Sequence, residues 1–211
     1  MQLFAQQTIH LPLHKKATAT LLFWPQWLSV DRADALYQTS LNAIAWHSDN
    51  IVIAGKTIPI PRLHRWFSDP STAYNWSGVK MSSEPFPAWL ERMRAEVGAT
   101  TRTQFNSCLA NYYRDGNDSV DWHADDEAIL GKQPCVASIS LGAQRVFQLR
   151  HRHTGERLDL TLPHGSLLFM GAGVQEYWQH KIPKENALSE ARINFTFRSL
   201  RKTSEYQGDP A

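Results

Sequence analysis

The sequence predicts an α+β fold in which two helices precede a β-sandwich or jelly roll. Two segments of the first half repeat apolar residues at helical spacing, and the second half contains seven short strand-like segments separated by turn signals. The chain has 211 residues, of which 42% are hydrophobic and 20% charged, as is typical of a folded domain with its own core. We therefore expect one domain spanning residues 1–211.

Both helices are predicted from apolar stripes. The first spans residues 29–45, where Ser29 or Asp31 can cap the start, and its stripe comprises Ala33, Leu36, Tyr37, Leu41 and Ile44. The second follows Pro87 and is expected to end at Gly98, and its apolar face comprises Leu90, Met93 and Val97. We interpret both stripes as packing faces.

A hairpin is predicted between the helices. Residues 51–58 contain two β-branched arms around a turn at Ala54-Gly55. The Pro-, Ser- and aromatic-rich stretch 59–78 then predicts a loop with little regular structure. Residues 1–50 are interpreted as an N-terminal extension that carries the first helix.

The strands of the second half end in a segment with clear alternation. The predicted strands cover residues 107–113, 120–123, 135–141, 146–150, 157–162, 166–170 and 192–200. In the last strand, the apolar face comprises Ile193, Phe195 and Phe197, and the polar face comprises Arg192, Asn194, Thr196 and Arg198. This pattern is typical of a barrel strand whose polar face lines a pocket, but a surface edge strand shows it equally well.

Composition excludes several classes of protein. The net charge of +2 is too small to indicate a polyanionic partner by itself. Two cysteines, Cys108 and Cys135, cannot form a disulfide framework and suit a reducing cytosol. The start lacks the pattern of a signal peptide, and no apolar run approaches the roughly 20 residues that span a bilayer. We expect a cytoplasmic protein that is not embedded in a membrane.

The first candidate for chemistry is the pair His123 and Asp125. Residues two apart in a strand share a face, so this imidazole and carboxylate would point the same way. With His180, which follows several further strands, they would form the two-histidine, one-carboxylate set of non-haem Fe(II) oxygenases. Alone, a His-x-Asp pair is a weak signal, and a lone histidine is more often structural.

Further motifs surround this pair in a characteristic order. They are Asn111-x-Tyr113, Gly116-x-Asp118, His123-x-Asp125, residues 138–142, 145–151 and 165–170, Trp178-Gln179-His180, and Arg192-x-Asn194-x-Thr196-x-Arg198. Over residues 61–200 the joint pattern resembles the AlkB family of Fe(II)/2-oxoglutarate dioxygenases. The resemblance implies a double-stranded β-helix (jelly-roll) core at 104–200, flanked by N-terminal helices, with a hairpin and nucleotide-recognition lid at 51–80.

The resemblance also implies cofactors and their ligands. His123, Asp125 and His180 would hold Fe(II), which uses 2-oxoglutarate and O₂ as cosubstrates. Arg192 would bind the distal carboxylate of 2-oxoglutarate, because a guanidinium binds a carboxylate bidentately, and Tyr113 would add a hydroxyl donor. The remaining polar cradle near the chelating end would comprise Asn111, Asn194 and Arg198, the last of which is also expected to be catalytic.

The activity implied by the resemblance is oxidative demethylation of N-alkylated bases such as 1-methyladenine and 3-methylcytosine in DNA, with release of formaldehyde. Tyr74 and Trp76 would lie in the lid that stacks on a flipped base. Asp126 or Glu127 would favour the positive charge of the lesion, although an acidic run is by default a solvated turn. Arg150 would contact substrate as part of a basic cluster comprising Arg145, Arg150, His151, Arg152, His153 and Arg157.

One feature departs from the family. Relatives that act on duplex DNA carry a bulky wedge at the hairpin tip, whereas this tip has Ala54-Gly55, with Ile53 as the one sizeable apolar neighbour. A small wedge supports a flipped base poorly, which favours single-stranded over duplex substrate.

Two alternatives remain at this stage. The same oxygenase fold could act on RNA, a protein or a small molecule, or the chain could be a non-catalytic nucleic-acid-binding module. A monomer is expected for a repair enzyme of this kind.

Overall fold

A computed structural model describes residues 5–14, 17–53, 56–70, 74–76, 79–81 and 83–201. Three α-helices are present in these residues: α1 (Val30–Ala43), α2 (Ala88–Thr101) and α3 (Val174–Tyr177). The first eight strands are β1 (Gln7–Pro12), β2 (Thr18–Trp24), β3 (Asn50–Ile53), β4 (Lys56–Pro59), β5 (Leu63–Ser68), β6 (Tyr74–Trp76), β7 (Val79–Met81) and β8 (Ser107–Tyr113). The other seven are β9 (Val120–His123), β10 (Val136–Gly142), β11 (Arg145–His151), β12 (Arg157–Leu162), β13 (Ser166–Met170), β14 (Trp178–Ile182) and β15 (Arg192–Arg198).

Two antiparallel sheets form the body of the domain. The major sheet has the order β1-β2-β13-β10-β15-β8-β5, and the minor sheet has the order β12-β11-β14-β9. Sequence neighbours are often separated in these sheets, as in a jelly roll, where the chain crosses between two packed sheets. The predicted α+β fold with a jelly-roll core is thus confirmed, and the hairpin β3–β4 and the short pair β6–β7 lie outside both sheets.

The domain has three layers with two apolar cores between them. One core joins the helices to the major sheet and contains the predicted faces of both helices, including Ala33, Leu90, Met93 and Val97. The other lies between the two sheets and includes Phe147, Leu149 and Trp178. Both predicted stripes are therefore packing faces, as expected.

The position of strand β15 decides between a barrel strand and a surface edge strand for the alternating segment 192–198. It pairs with β10 on one side and β8 on the other, so it is a central strand and not an edge. Its apolar residues join the core beneath the helices. Its polar residues line a pocket between the sheets. The barrel interpretation is confirmed and the edge-strand alternative is wrong.

The structure differs from the sequence prediction in the first 24 residues. Strands β1 and β2 lie in the stretch interpreted as an extension, yet they form one edge of the major sheet. Leu21 and Phe23 face the core between the sheets, whereas Leu22 and Trp24 pack against the core beneath the helices. Since both faces of β2 are apolar, it lacks the alternation that marks a half-exposed strand.

Two further predictions need correction, and one strand was not predicted. Residues 63–68 were expected in a loop, but they form β5, which pairs with β8 along its whole length. Helix α2 does not end at Gly98 but continues to Thr101, and Arg102 ends it in the left-handed conformation with its N–H on the Gly98 carbonyl. Strand β14 was not predicted, although it carries His180.

The predicted hairpin is confirmed by the pairing of β3 with β4, while its turn at Ala54-Gly55 lies outside the described residues. No helix in the described parts of the chain is both long and apolar enough to cross a membrane.

Candidate metal and 2-oxoglutarate site

His123, Asp125 and His180 converge at one end of the minor sheet. His123 ends β9 and lies directly opposite His180 on β14, so pairing of these two strands brings the imidazoles together. Asp125 follows two residues after His123. One potential ligand atom from each residue lies within 4.8 Å of the other two, which is close enough for a single ion.

A β-bulge in β9 contributes to this arrangement. Ile182 pairs with Val120 and His180 pairs with His123, so two residues of β9 lie opposite one residue of β14. Val120 and His123 both line the pocket, although residues three apart would point to opposite faces of a regular strand. The extra residue turns His123 inward and leaves Trp122 to contact Arg150 and Lys181.

Both imidazoles are held in the form that binds metal. His123 Nδ1 lies 2.7 Å from the carbonyl oxygen of Asp121, which fixes the proton on Nδ1 and leaves Nε2 for an ion. Burial lowers the pKa of His123, and it lowers the pKa of His180 to about 3, with His123 adding to the effect. Neutral imidazole is the metal ligand, so these shifts favour coordination at neutral pH.

The two carboxylate oxygens of Asp125 have different surroundings. Its Oδ1 accepts a 2.6 Å hydrogen bond from Arg198 Nη2, while its buried Oδ2 has no hydrogen-bond partner in the structure. Oδ2 is also the oxygen that faces His180 Nε2, 3.9 Å away. Burial opposes the charge, but Arg198 and the two imidazoles outweigh it and lower the pKa of Asp125 to about 2. The group is therefore an anion with one oxygen available to a cation.

Arg192 offers a second binding function deep in the same pocket. Its side chain is fully buried, and its Nη2 donates to Ser140 Oγ at 2.9 Å. Its Nε and Nη1 are buried and have no hydrogen-bond partner in the described parts of the chain. The guanidinium also lies 5.2 Å from the ring of Tyr113, and burial lowers its pKa to about 10, so it stays charged. Two unpaired donors on a buried cation fit a ligand carboxylate.

The other polar residues expected in the cradle also line the pocket but bond mainly to protein groups. Asn194 Nδ2 donates to Ser138 Oγ and to the Ile139 carbonyl, and its Oδ1 accepts from Thr196. Arg198, which was expected near the chelating end of 2-oxoglutarate, is bound to Asp125. These contacts order the wall of the pocket and the metal-facing carboxylate.

Arg62 also lines the pocket, although no sequence pattern predicted it there. It is 6% exposed, and its Nε donates to Asn111 Oδ1 at 2.9 Å, which connects it to one of the expected cradle residues. The misassigned loop concealed it, because Arg62 directly precedes β5, the strand that runs beside β8 and Asn111.

The residues expected to contact the substrate have different surroundings in the structure. Asp126 forms a 2.5 Å ion pair with Arg152, and Glu127 precedes the 3₁₀ helix Ala128–Leu130. Arg150 lies 4.4 Å over the ring of Trp122 and donates to Gln179. Tyr74 and Trp76 form the strand β6, but their side chains lie outside the described residues.

The predicted basic cluster is not one surface patch. Arg145 is 1% exposed and His151 is 4% exposed, so neither can meet a nucleic-acid backbone. Arg145 pairs with Glu185 and donates to the carbonyls of Asp115, Asp118 and Pro183. It is a structural residue.

The ligand atoms of His123, Asp125 and His180 fit a ferrous ion. Two neutral imidazoles and one carboxylate leave coordination positions open, as in non-haem Fe(II) oxygenases, whereas closed structural zinc sites use four protein ligands. Arg192 lines the same pocket, and its Nε and Nη1, which have no hydrogen-bond partner among the described residues, would bind a carboxylate of a dicarboxylic keto-acid.

Comparison with known proteins agrees with the geometry. The model of the 2OG-Fe(II) oxygenase superfamily matches residues 20–198. Alpha-ketoglutarate-dependent dioxygenase alkB homolog 3 of Rattus norvegicus is 35% identical over 202 residues, which cover 90% of this chain and 67% of that protein. DNA oxidative demethylase ALKBH2 of Homo sapiens is 32% identical over 184 residues, covering 82% of this chain and 70% of that protein.

The fold has a matching counterpart among solved structures. The structure of OsALKBH1 superposes with a TM-score of 0.60 at 17% identity and covers 85% of this chain and 97% of that one. The extended sequence identity to the alkB homologues and the superfamily match place this chain in the AlkB family of Fe(II)- and 2-oxoglutarate-dependent dioxygenases, which use O₂ as the oxidant.

Proposed function

We propose that this enzyme oxidatively demethylates N-alkylated bases in DNA, with 1-methyladenine and 3-methylcytosine as its substrates. The observation that carries the proposal is the presence, in one pocket, of the His123, Asp125 and His180 cluster and the buried guanidinium of Arg192, whose Nε and Nη1 have no hydrogen-bond partner among the described residues. The name of the human relative, DNA oxidative demethylase, supports DNA as the substrate.

The chain's own residues would carry distinct parts of the reaction. His123 Nε2, Asp125 Oδ2 and His180 Nε2 would hold the iron, and Arg192 with the Tyr113 hydroxyl would anchor the far carboxylate of 2-oxoglutarate. When bound, iron supplies the oxidation in which O₂ and 2-oxoglutarate become succinate and CO₂, while the N-methyl group becomes an N-hydroxymethyl group that leaves as formaldehyde. The sheets around the pocket exclude water and fix the cosubstrate's orientation.

Electrostatics favour a cationic lesion over a normal base. The alkylated bases carry a positive charge, which a nearby carboxylate stabilises when water is excluded. The carboxylate of Asp126 forms an ion pair with Arg152, and we propose the next acidic residue, Glu127, for the base contact. Tyr74 and Trp76 would form the lid, and Arg150 would contact the phosphate backbone.

Single-stranded DNA is the proposed form of the substrate. Only Ala54 and Gly55 separate strands β3 and β4 in the sequence, and their side chains are too small to fill the gap left by a flipped base. In a single strand that gap does not need filling.

The test compares wild-type protein with Asp125→Ala, both incubated with Fe(II), 2-oxoglutarate and oligonucleotides that contain 1-methyladenine. We expect the wild type to release formaldehyde and restore adenine, faster on single strands than on duplexes, and Asp125→Ala to do neither. Wild-type 2-oxoglutarate turnover without repair of any alkylated DNA would overturn the substrate assignment and leave the oxygenase assignment intact.

A further inference from the structure

Gln175 is a fully buried polar residue that no part of the proposed reaction uses. It lies in α3, directly before the strand that carries His180, and its side chain is 0% exposed. A buried amide without hydrogen bonds destabilises a fold, so the contacts of such a residue indicate why it is there. Its partners lead to the metal-facing carboxylate.

The side chain of Gln175 holds the main chain of Asp125. Its Oε1 accepts a 3.0 Å hydrogen bond from the Asp125 N–H, across 50 residues of sequence. Its Nε2 points at the sulfur of Met170, 3.4 Å away. Asp125 lies just beyond the end of β9, where ladder hydrogen bonds no longer fix the backbone. The glutamine therefore supplies the bond that the strand no longer provides.

Arg152 connects the same two segments from the solvent side. Its Nη2 donates both to the Gln175 carbonyl, at 3.1 Å, and to the carboxylate of Asp126, at 2.5 Å. Asp125 is thus held through its own N–H by Gln175 and through its neighbour by Arg152. On its other side, Arg198 fixes Oδ1.

We propose that Gln175 and Arg152 form a brace that positions Asp125 for metal binding. In this assignment Gln175 is a positioning residue and Arg152 supports it, while Asp126 belongs to the brace and not to the base-binding surface. The inference rests on the metal site of the family and is independent of which substrate the enzyme repairs.

The brace predicts a specific loss in metal affinity. Gln175→Leu keeps the size of the side chain but removes the acceptor, so the Asp125 N–H loses its partner and the carboxylate its fixed direction. Residues that orient a metal ligand typically contribute about 10- to 100-fold to metal affinity, and we expect a loss in this range for Mn²⁺. Gln175→Glu keeps an acceptor oxygen, and because burial next to the Asp125 anion favours the neutral acid, this variant should bind Mn²⁺ within about threefold of wild type.

The experiment measures Mn²⁺ binding by isothermal titration calorimetry on the full chain, with circular dichroism and thermal melting of the metal-free protein as a check on folding. Gln148→Leu, which removes an amide that donates to Asp159 on the opposite face of the minor sheet, is the matched control. Metal affinity is measured without DNA, so failure of the proposed repair activity would not affect the outcome.

Two results would overturn the brace. One is wild-type Mn²⁺ affinity in Gln175→Leu. The other is an equal loss in Gln175→Leu and Gln175→Glu, which would show that packing and not the acceptor matters. If Gln175→Leu does not fold, Arg152→Gln tests the brace from the surface. It should weaken Mn²⁺ binding about threefold, a smaller effect because exposed ion pairs contribute little, and unchanged affinity would refute the proposal.

Discussion

The guanidinium of Arg192 is buried, so its positive charge is costly unless an anion pairs with it. Its Nη2 donates to the neutral Ser140 hydroxyl and the side chain also hydrogen-bonds with Tyr113, whereas the buried Nε and Nη1 have no hydrogen-bond partner among the described residues. A cation in that setting is a costly feature of the fold unless a ligand completes it. At the residue scale, this incomplete pairing is what distinguishes a binding residue from a structural one such as Arg145.

Arg192 therefore supports a prediction about cosubstrate binding. Replacing it with glutamine should raise the KM for 2-oxoglutarate by about 100-fold, since a charge-assisted bidentate contact contributes about 2–3 kcal/mol. Steady-state turnover with varied 2-oxoglutarate measures this. Mn²⁺ affinity should stay near wild type, and a variant with an unchanged KM would contradict the assignment of Arg192.

His180 supports a prediction about pH. Burial lowers its pKa from 6.5 to about 3. As the pH falls below 6.5, the unfolded chain takes up a proton that the folded chain does not, so the unfolded state is stabilised. The metal-free protein should therefore become less stable between about pH 6.5 and pH 3. Urea unfolding across this range should show a weaker pH dependence in His180→Gln than in wild type, and an equal dependence would contradict the prediction.

At the scale of elements, the Gly-x-Asp turn is a docking point between two loops. The Gly116 carbonyl accepts a hydrogen bond from the Glu185 N–H, the Gly116 N–H donates to the Leu188 carbonyl, and a Cβ at position 116 would collide with the Glu185 main chain. Asp118 accepts from the backbone and side chain of Arg114. The motif that contributed to the family resemblance thus has a structural role here, and Arg145 joins its carbonyls to the loop after β14.

The junction at Arg145 predicts a loss of stability. Arg145→Met keeps most of the buried volume but leaves three main-chain carbonyls without this donor and Glu185 without its ion pair. The free energy of unfolding should fall by about 3 kcal/mol, the usual size of an effect that leaves buried polar groups unpaired. Urea unfolding measures it. Arg157→Met, at an exposed position in the adjacent strand, is the control and should change stability by less than about 0.5 kcal/mol.

At the scale of the whole molecule, the helices and the two sheets form layers, and the site lies between the sheets. The major sheet presents its apolar side to the helices and its polar side to the pocket, so one strand, β15, serves both the core and the site. The N-terminal strands complete this sheet next to β13 and bury Leu11, Leu21 and Phe23. They belong to the architecture that encloses the site.

Removal of residues 1–24 should therefore prevent stable folding. The truncated chain would expose the edge of β13 and lose several fully buried side chains, each of which contributes about 1.5–3 kcal/mol, against a total stability of about 5–15 kcal/mol. Size-exclusion chromatography and thermal melting should show aggregation or the absence of a cooperative transition. A soluble truncated protein that binds Mn²⁺ like wild type would show that these strands are an extension after all.

The sequence by itself determined the jelly roll and the metal-facing triad, and it predicted Arg192 as the residue that anchors 2-oxoglutarate. These features have local signals, namely the alternation along residues 192–198, the two-residue spacing of His123 and Asp125, and ordered motifs that resemble one family. Their chemistry depends on residue type and on which face of a strand the residue occupies, and both can be determined from a few neighbouring positions.

Only the tertiary structure decided the partners of these residues. Strand β2 is apolar on both faces and β5 follows a proline-rich stretch, so neither shows the period of a half-exposed strand. Arg62, Gln175 and Arg152 reach the site from distant segments, and the pairing of Arg198 with Asp125 spans 73 residues. Hydrogen bonds between side chains far apart in the chain form only when the sheets pack, and for that physical reason no local pattern in the sequence contains them.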